Sequence, residues 1–244
     1  MSRMPTDAEI EEMSEEELEA YLSSAPAQEL DRRTRRDADD DSAARPAWLR
    51  RSGAERGFGW LLTVCALIGI LACWELISSQ LDLLRNPDAE LVCDVSPLVS
   101  CGDSLNVWQG NLLGVPNSFI GAIAFGALAA IGMVLLSGAR LPRWMWWGLS
   151  AGSLGGIAFV IWFLSVSIVT FGKLCPFCMV IWSITIPVAA NSWAWAAAGG
   201  HLGLRDNLAL DLLKARWWIM AAMYLAVVLT IVITFGGQLA RLFG

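Results

Sequence analysis

Five stretches, near Phe58–Ile77, Ser118–Leu136, Trp146–Val169, Cys175–Ala197 and Trp217–Phe235, are apolar over about twenty residues each. A helix rises 1.5 Å per residue, and a bilayer's hydrocarbon core takes about 20 residues to cross. Glu75, near the end of the first stretch, is their one charged side chain. Lipid offers no partners to backbone N–H and C=O groups, so such stretches cross as helices that satisfy those groups internally. The sequence therefore predicts an all-α integral membrane protein with five transmembrane helices. Composition agrees. The chain is 56% hydrophobic and 16% charged, where a soluble domain carries about 45–50% and about 25%.

Charge divides the 244 residues into regions. Residues 1–56 hold 15 of the 23 acids and 9 of the 17 bases, so the net charge of −6 belongs to this segment. It reads as a charged, largely disordered cytoplasmic tail, with a short acidic helix expected over Asp7–Leu22. No secretory leader is expected, because the acidic tail precedes the first apolar run. Residues 57–200 form a second region with an outer loop at 78–117. Residues 201–244 hold an inner loop and the fifth span.

Arginine and lysine orient the spans. Arg45, Arg50, Arg51 and Arg56 precede the first, Arg140 and Arg143 lie between the second and third, and Arg205, Lys214 and Arg216 lie between the fourth and fifth. Only Arg85, Lys173 and Arg241 fall on the other side. The positive-inside rule puts the N-terminus in the cytoplasm and the C-terminus outside the plasma membrane. Trp60, Trp144, Trp146, Trp147, Trp193, Trp195, Trp217 and Trp218 fall at the inner ends and read as an interfacial belt.

No basic stripe suits nucleic acid. The one histidine, His201, lies in the inner loop and excludes multi-histidine metal sites. Six cysteines carry the chemistry. Cys175 and Cys178 open the fourth span as Cys-Pro-Phe-Cys on the outer side. Residues three apart share a helix face, so these sulfurs can reach bonding distance. The helix N-terminus and Lys173 favour a thiolate there, and Pro176 suits the first helical turn. A bridge closing so small a loop would stabilise little, so the motif reads as redox-active. Zinc needs four ligands and finds no further set, so no metal site is expected.

Cys93 and Cys101 lie in the outer loop, where a static staple and an exchanging pair are both open. Two pairs on one side can pass electrons by thiolate attack on a disulfide. The loop pair reads as mobile and exposed, within reach of a soluble partner. The helix pair sits at the membrane boundary, within reach of a lipid-soluble oxidant. Cys65 and Cys73 fall within the first span, Cys65 roughly 20 Å and Cys73 about 8 Å from its outer end. Both read as packing residues. Asp94 and Asp103 read as solvated loop acids.

Cys93-Asp94-Val95 followed by Cys101, Pro116-Asn117-Ser118 at the start of the second span, and Cys175-x-x-Cys178 at the fourth resemble the vitamin K epoxide reductase family. The resemblance covers about residues 57–200. The order, loop pair before helix pair, is fairly specific, and the DsbB type has the reverse. The resemblance implies a four-helix bundle around a quinone (menaquinone or ubiquinone), with the fifth helix outside. It implies a short surface helix, here over Ser104–Asn111. It gives Cys178 the place beside the quinone, Cys175 the exchange with Cys101, and Cys93 the partner protein. Asn117 matches a position that hydrogen-bonds the substrate carbonyl, and Ser118 is a second candidate. Asn117 can also cap its helix. Where vertebrate members carry a substrate-contacting Tyr, this chain has Trp182, whose indole N–H can donate one hydrogen bond. Some bacterial relatives carry a fused thioredoxin-like domain after the fifth helix. About nine residues follow the expected fifth span here, so the expected partner is a separate exported thioredoxin-fold, DsbA-like protein.

The expected activity is thus quinone-dependent thiol-disulfide oxidoreduction, with catalytic Cys93, Cys101, Cys175 and Cys178, supporting disulfide formation in exported proteins. Two alternatives stay open. One is a reductase acting physiologically on vitamin K epoxide. The other is a non-catalytic carrier or scaffold with static disulfides.

Overall fold

The computed structural model describes residues 13–22, 32, 53–89, 91–94, 96, 98–105 and 107–243. Two compact units, Met1–Ala54 and Glu55–Gly244, make up the chain. In the first, helix α1 (Glu15–Leu22) is shorter than expected. It begins at a capping box, with the Ser14 N–H and hydroxyl donating to Glu17 Oε2 at 3.1 and 2.8 Å. These bonds, the backbone one foremost, hold the Glu17 carboxyl below its usual range. Most of the tail, with Arg33, Arg35, Arg36, Arg45, Arg50 and Arg51, lies outside the described residues, as do Val95 and Pro97 of the loop and the side chains of Asp103 and Arg241.

Apart from the first two residues of α2, the second unit holds five long helices: α2 (Gly53–Arg85), then, after a short helix α3 (Gly102–Leu105), α4 (Asn117–Leu136), α5 (Arg143–Val166), α6 (Pro176–Ala198) and α7 (Asp206–Phe243). All five are long and apolar enough to cross a membrane. Among the described residues there are isolated β-bridges but no strand. The protein is an all-α, multi-pass membrane protein.

The expected boundaries fail where apolarity ends before helicity does. Ser78–Arg85 continues α2 instead of opening the outer loop. The stretch Ser78-Ser-Gln-Leu-Asp-Leu-Leu-Arg is polar but contains no breaker until Pro87 disfavours helical backbone at Asn86. Cys73 therefore lies roughly 18 Å below the helix end, at 1.5 Å per residue, rather than about 8 Å. Likewise α7 starts well before Trp217 and takes Lys214 and Arg216 out of the inner loop.

The expected surface helix Ser104–Asn111 is two pieces, α3 and a 3-10 turn at Trp108–Asn111. Val107 is extended between them (φ −111°, ψ 158°). The Asn111 amide donates to the carbonyls of Leu105 and Val107 at 3.0 and 2.9 Å, taking acceptors that a continuous helix would use.

Small residues let α2 and α4 cross closely. A Cβ on Gly132 would stand 2.5 Å from Thr63 Oγ1, and one on Gly59 3.1 Å from the Gly132 carbonyl. Such close backbone approach drives helix association in lipid, where burial of apolar surface does not.

The tryptophan belt needs correcting. Trp60, Trp144, Trp147, Trp217 and Trp218 are exposed, as lipid-facing anchors would be. Trp146 and Trp195 are instead buried, each stacked on Phe58, and Trp193 is half-buried with its indole donating to the Ser150 carbonyl. His201 stacks on Trp146 in the same cluster.

Candidate redox site

Four cysteines meet where the C-terminal end of α2, the N-terminal ends of α4 and α6 and the loop after α2 come together. Backbone pairing sets their register. The Leu174 N–H donates to the Leu98 carbonyl at 2.9 Å, and the Ser100 N–H donates to the Leu174 carbonyl at 3.1 Å. The residues just before Cys101 are thereby fixed beside the residue just before Cys175.

Cys175 is the N-cap of α6, with extended backbone (φ −89°, ψ 120°). Its sulfur accepts the Cys178 N–H at 3.3 Å, in the place a Ser or Asp oxygen normally takes. The neighbouring Cys178 thiol, with further help from the backbone N–H groups of Cys178 and Phe177, pulls the Cys175 thiol below its usual pKa against the opposing effect of burial. The direction is the one the sequence suggests, but the leading cause is the Cys178 thiol rather than Lys173 or the helix end.

Cys93 and Cys101 form a disulfide, with Cα atoms 5.7 Å apart. Cys101 Sγ lies 3.4 Å from Cys175 Sγ. One sulfur of the loop bridge therefore touches the helix pair, while Cys175 and Cys178 are free thiols. The expectation of an exposed loop pair is overturned. Cys93 is 2% and Cys101 0% exposed, packed with Leu76, Leu91 and Leu105. Exposure belongs instead to the neighbours Val92 and Asp94. Asp94 is also more than a solvated acid, since its Oδ1 accepts the Cys101 N–H at 3.1 Å.

Below the sulfurs a cavity of about 570 Å³ runs between α2, α4, α5 and α6. Its lining includes Cys178 and Trp182 from α6 and Asn117 and Ser118 from α4, so three non-cysteine candidates from the sequence line the same cavity as one of the redox sulfurs. Among the described residues, none of α7 lines it. Cys65 lies off the cavity and is half-buried, but Cys73 forms part of the wall, a role its reading as packing did not include.

Asn117 does not cap its own helix, whose N-cap is Pro116. Its Oδ1 accepts the Leu112 N–H at 3.1 Å and its Nδ2 donates to the Gln109 carbonyl at 2.6 Å. Ser118 is different. Its hydroxyl is 92% buried at residue level and lacks a hydrogen-bond partner. A buried polar group without a partner is rare and costs about 1–3 kcal/mol, so a ligand acceptor fits here. Among the described residues no group of three His, Cys, Asp or Glu side chains is placed to hold a metal ion.

Sequence reasoning missed Gln80 and Ser104. Gln80, buried on α2, donates to the Leu105 carbonyl at 3.2 Å and to Asn111 Oδ1 at 3.3 Å. It ties the loop over the cavity. The Ser104 hydroxyl, buried against Cys175, donates to the Cys101 carbonyl at 2.8 Å. A glutamine inside the leucine-rich continuation of an apolar helix was the available signal for the first.

The family model described as the vitamin K epoxide reductase family matches residues 60–193, more than half of the chain and all four site cysteines. The chain belongs to this family. Among curated proteins none matches the chain significantly. Membership makes this vitamin K epoxide reductase family protein a membrane oxidoreductase of disulfide and quinone redox chemistry. Quinones are the acceptors this family uses.

Proposed function

We propose that this protein oxidises the dithiol of an exported thioredoxin-fold, DsbA-like protein and reduces a membrane quinone, so that disulfides form in exported proteins. The observation that carries the reading is the 3.4 Å contact between Cys101 and Cys175 at the head of a cavity that Cys178 lines.

The steps are thiol exchanges. A partner thiolate attacks Cys93, the Cys93–Cys101 bond breaks, and Cys101 leaves as a thiolate. The partner's second thiol then resolves the mixed disulfide, departing oxidised and freeing Cys93. Cys101 attacks Cys175 of a Cys175–Cys178 disulfide, expelling Cys178. Cys93 then attacks Cys101, restoring the loop bridge and leaving Cys175 and Cys178 reduced. Two electrons have moved from loop to helix. Closing the Cys175–Cys178 bond releases the two electrons on the cavity side. A quinone bound there accepts them with two protons.

Residues of the chain fit that ligand. The cavity is mainly apolar, and the partnerless Ser118 hydroxyl can donate to a carbonyl oxygen. Asn117 has spent one amide hydrogen on Gln109 and keeps one. Trp182 walls the cavity near Cys178. Because Cys93 is buried, the partner must displace the segment beside Val92 and Asp94 to reach it. The redox end lies opposite Arg56, Arg140, Arg143 and Arg205, which supports an outer active site and a cytoplasmic N-terminus under the positive-inside rule.

The test uses the full-length protein in lipid nanodiscs with a reduced thioredoxin-fold dithiol protein and either menaquinone or ubiquinone. Quinol formation coupled one-to-one to partner oxidation is expected. Partner oxidation that proceeds equally without quinone overturns the reading.

A further inference from the structure

Pro187 lies inside α6. A proline has no N–H, so the carbonyl four residues earlier, that of Ser183, loses its helical donor. The Tyr224 hydroxyl of α7 donates to that same carbonyl. The tyrosine thus stands in for the missing backbone N–H. An acceptor freed at membrane depth finds no water, so such substitutes are what allow a proline within a spanning helix.

The break divides α6. Above it, toward the sulfurs, lies the segment Pro176–Ser183, with Cys178 and Trp182. The rest of the tyrosine's face meets this upper half. Tyr224, Val227, Ile231 and Phe235 recur at three- and four-residue spacing, one stripe of a helix. Val227, Ile231 and the buried Phe235 belong to a cluster with Trp182 and Leu174. Both α7 and its tyrosine lie beyond the matched stretch 60–193, so this support is a property of this chain's own fifth helix.

We infer that Tyr224 is a positioning residue for the redox reaction: its hydrogen bond to Ser183 fixes the upper half of α6 and so sets where Cys178 meets the cavity. The inference rests on the proposed place of Cys178 beside the quinone. The hydroxyl touches no reacting atom, and its effect travels through about a turn and a half of helix.

The experiment measures kcat and KM for a short-chain benzoquinone, with dithiothreitol as reductant and the full-length protein in nanodiscs. Tyr224→Phe removes only the hydroxyl. It should lower kcat roughly three- to tenfold, the scale of one hydrogen bond, with KM little changed. Pro187→Ala supplies the missing N–H and makes the hydroxyl redundant. The double variant Pro187→Ala/Tyr224→Phe should therefore match Pro187→Ala alone. A Tyr224→Phe kcat equal to wild type overturns the inference, and so does an equal loss from Tyr224→Phe in both backgrounds. If Tyr224→Phe alone does not fold, the Pro187→Ala background decides. A double variant equal to its parent supports the tether, and a double variant that also fails overturns it. Cys178→Ala separates the two levels. If it still turns over quinone, the reading beneath this inference is wrong. If it is inactive while Tyr224→Phe has wild-type kcat, only the tether is wrong.

Discussion

Cys101 Sγ rests 3.4 Å from Cys175 Sγ across 74 residues of sequence. A sulfur that is bonded to Cys93 and touches Cys175 can belong to either bridge, which is what the proposed series of exchanges requires. Interrupting the series at different points should trap different species. Cys175→Ala leaves Cys101 without a disulfide to attack, so the loop pair should accumulate reduced after one partner turnover, and a partner lacking its second thiol should accumulate as a mixed disulfide with Cys93. In Cys178→Ala the Cys175 thiolate can still attack Cys101 of the loop bridge, expelling Cys93 as a thiolate, and a Cys101–Cys175 bridge should accumulate. Both should abolish quinone reduction, and Cys65→Ala, off the cavity, should retain it. Mass spectrometry of alkylated, non-reduced peptides reads each species. Equal loss from all three substitutions would contradict the series.

Gln80 should matter more than its distance from the sulfurs suggests. Its amide bridges α2 to the Leu105 carbonyl and Asn111, and so ties down the loop that buries the Cys93–Cys101 bond. Gln80→Leu keeps the volume but leaves Asn111 Oδ1 without its donor, while the Leu105 carbonyl keeps only the Asn111 amide, a loss of about 1–3 kcal/mol. Thermal unfolding in detergent should begin several degrees lower. The loop disulfide should also be reduced faster by a soluble thiol, because it is no longer shielded. An unchanged reduction rate would show that Gln80 does not hold the loop closed.

How far these features were legible in the sequence depends on the distance over which they are specified. Helices in lipid must be apolar along their length, so all five spans stood out, and Cys175-Pro-Phe-Cys178 declared a helix start within four residues. The ends of α2 and α7 did not stand out, because a polar helix outside the hydrocarbon looks like loop to a hydropathy reading. The contact of Cys101 with Cys175 followed from the family resemblance, but burial of the loop pair did not. That burial depends on Leu76, Leu91 and Leu105 converging from separate segments, and on Leu98 and Ser100 pairing with Leu174. The resemblance put Asn117 before Ser118 as the ligand donor. The proposed quinone contact reverses the emphasis, because the loop carbonyl of Gln109 and the Leu112 N–H engage the asparagine while the Ser118 hydroxyl has no partner.

Ser118→Ala tests that reversal, with opposite signs in two measurements. Without quinone, removing an orphaned buried hydroxyl relieves a desolvation penalty, so thermal stability should hold or rise slightly. With quinone, the donor is missing, and KM should rise roughly three- to tenfold, the scale of one hydrogen bond. A variant that is less stable and has an unchanged KM would make Ser118 a structural residue.

The lowered Cys175 pKa at the helix mouth predicts a pH signature. The Cys178 thiol is the largest influence holding Cys175 below its ordinary value, ahead of the N–H groups of the first turn. The thiolate is the nucleophile, so reactivity appears as pH rises through the pKa, and a lowered pKa moves that rise to more acidic pH. In a variant with Cys65, Cys73, Cys93 and Cys101 replaced by Ala, capture of Cys175 by a small alkylating reagent should therefore have a midpoint below that of an ordinary thiol, about 8.5. Adding Cys178→Ala removes the leading cause, and the midpoint should move upward. Peptide mass spectrometry across a pH series reports the rate at Cys175 itself. A midpoint that stays in place when Cys178 is removed would assign the effect to the backbone donors alone.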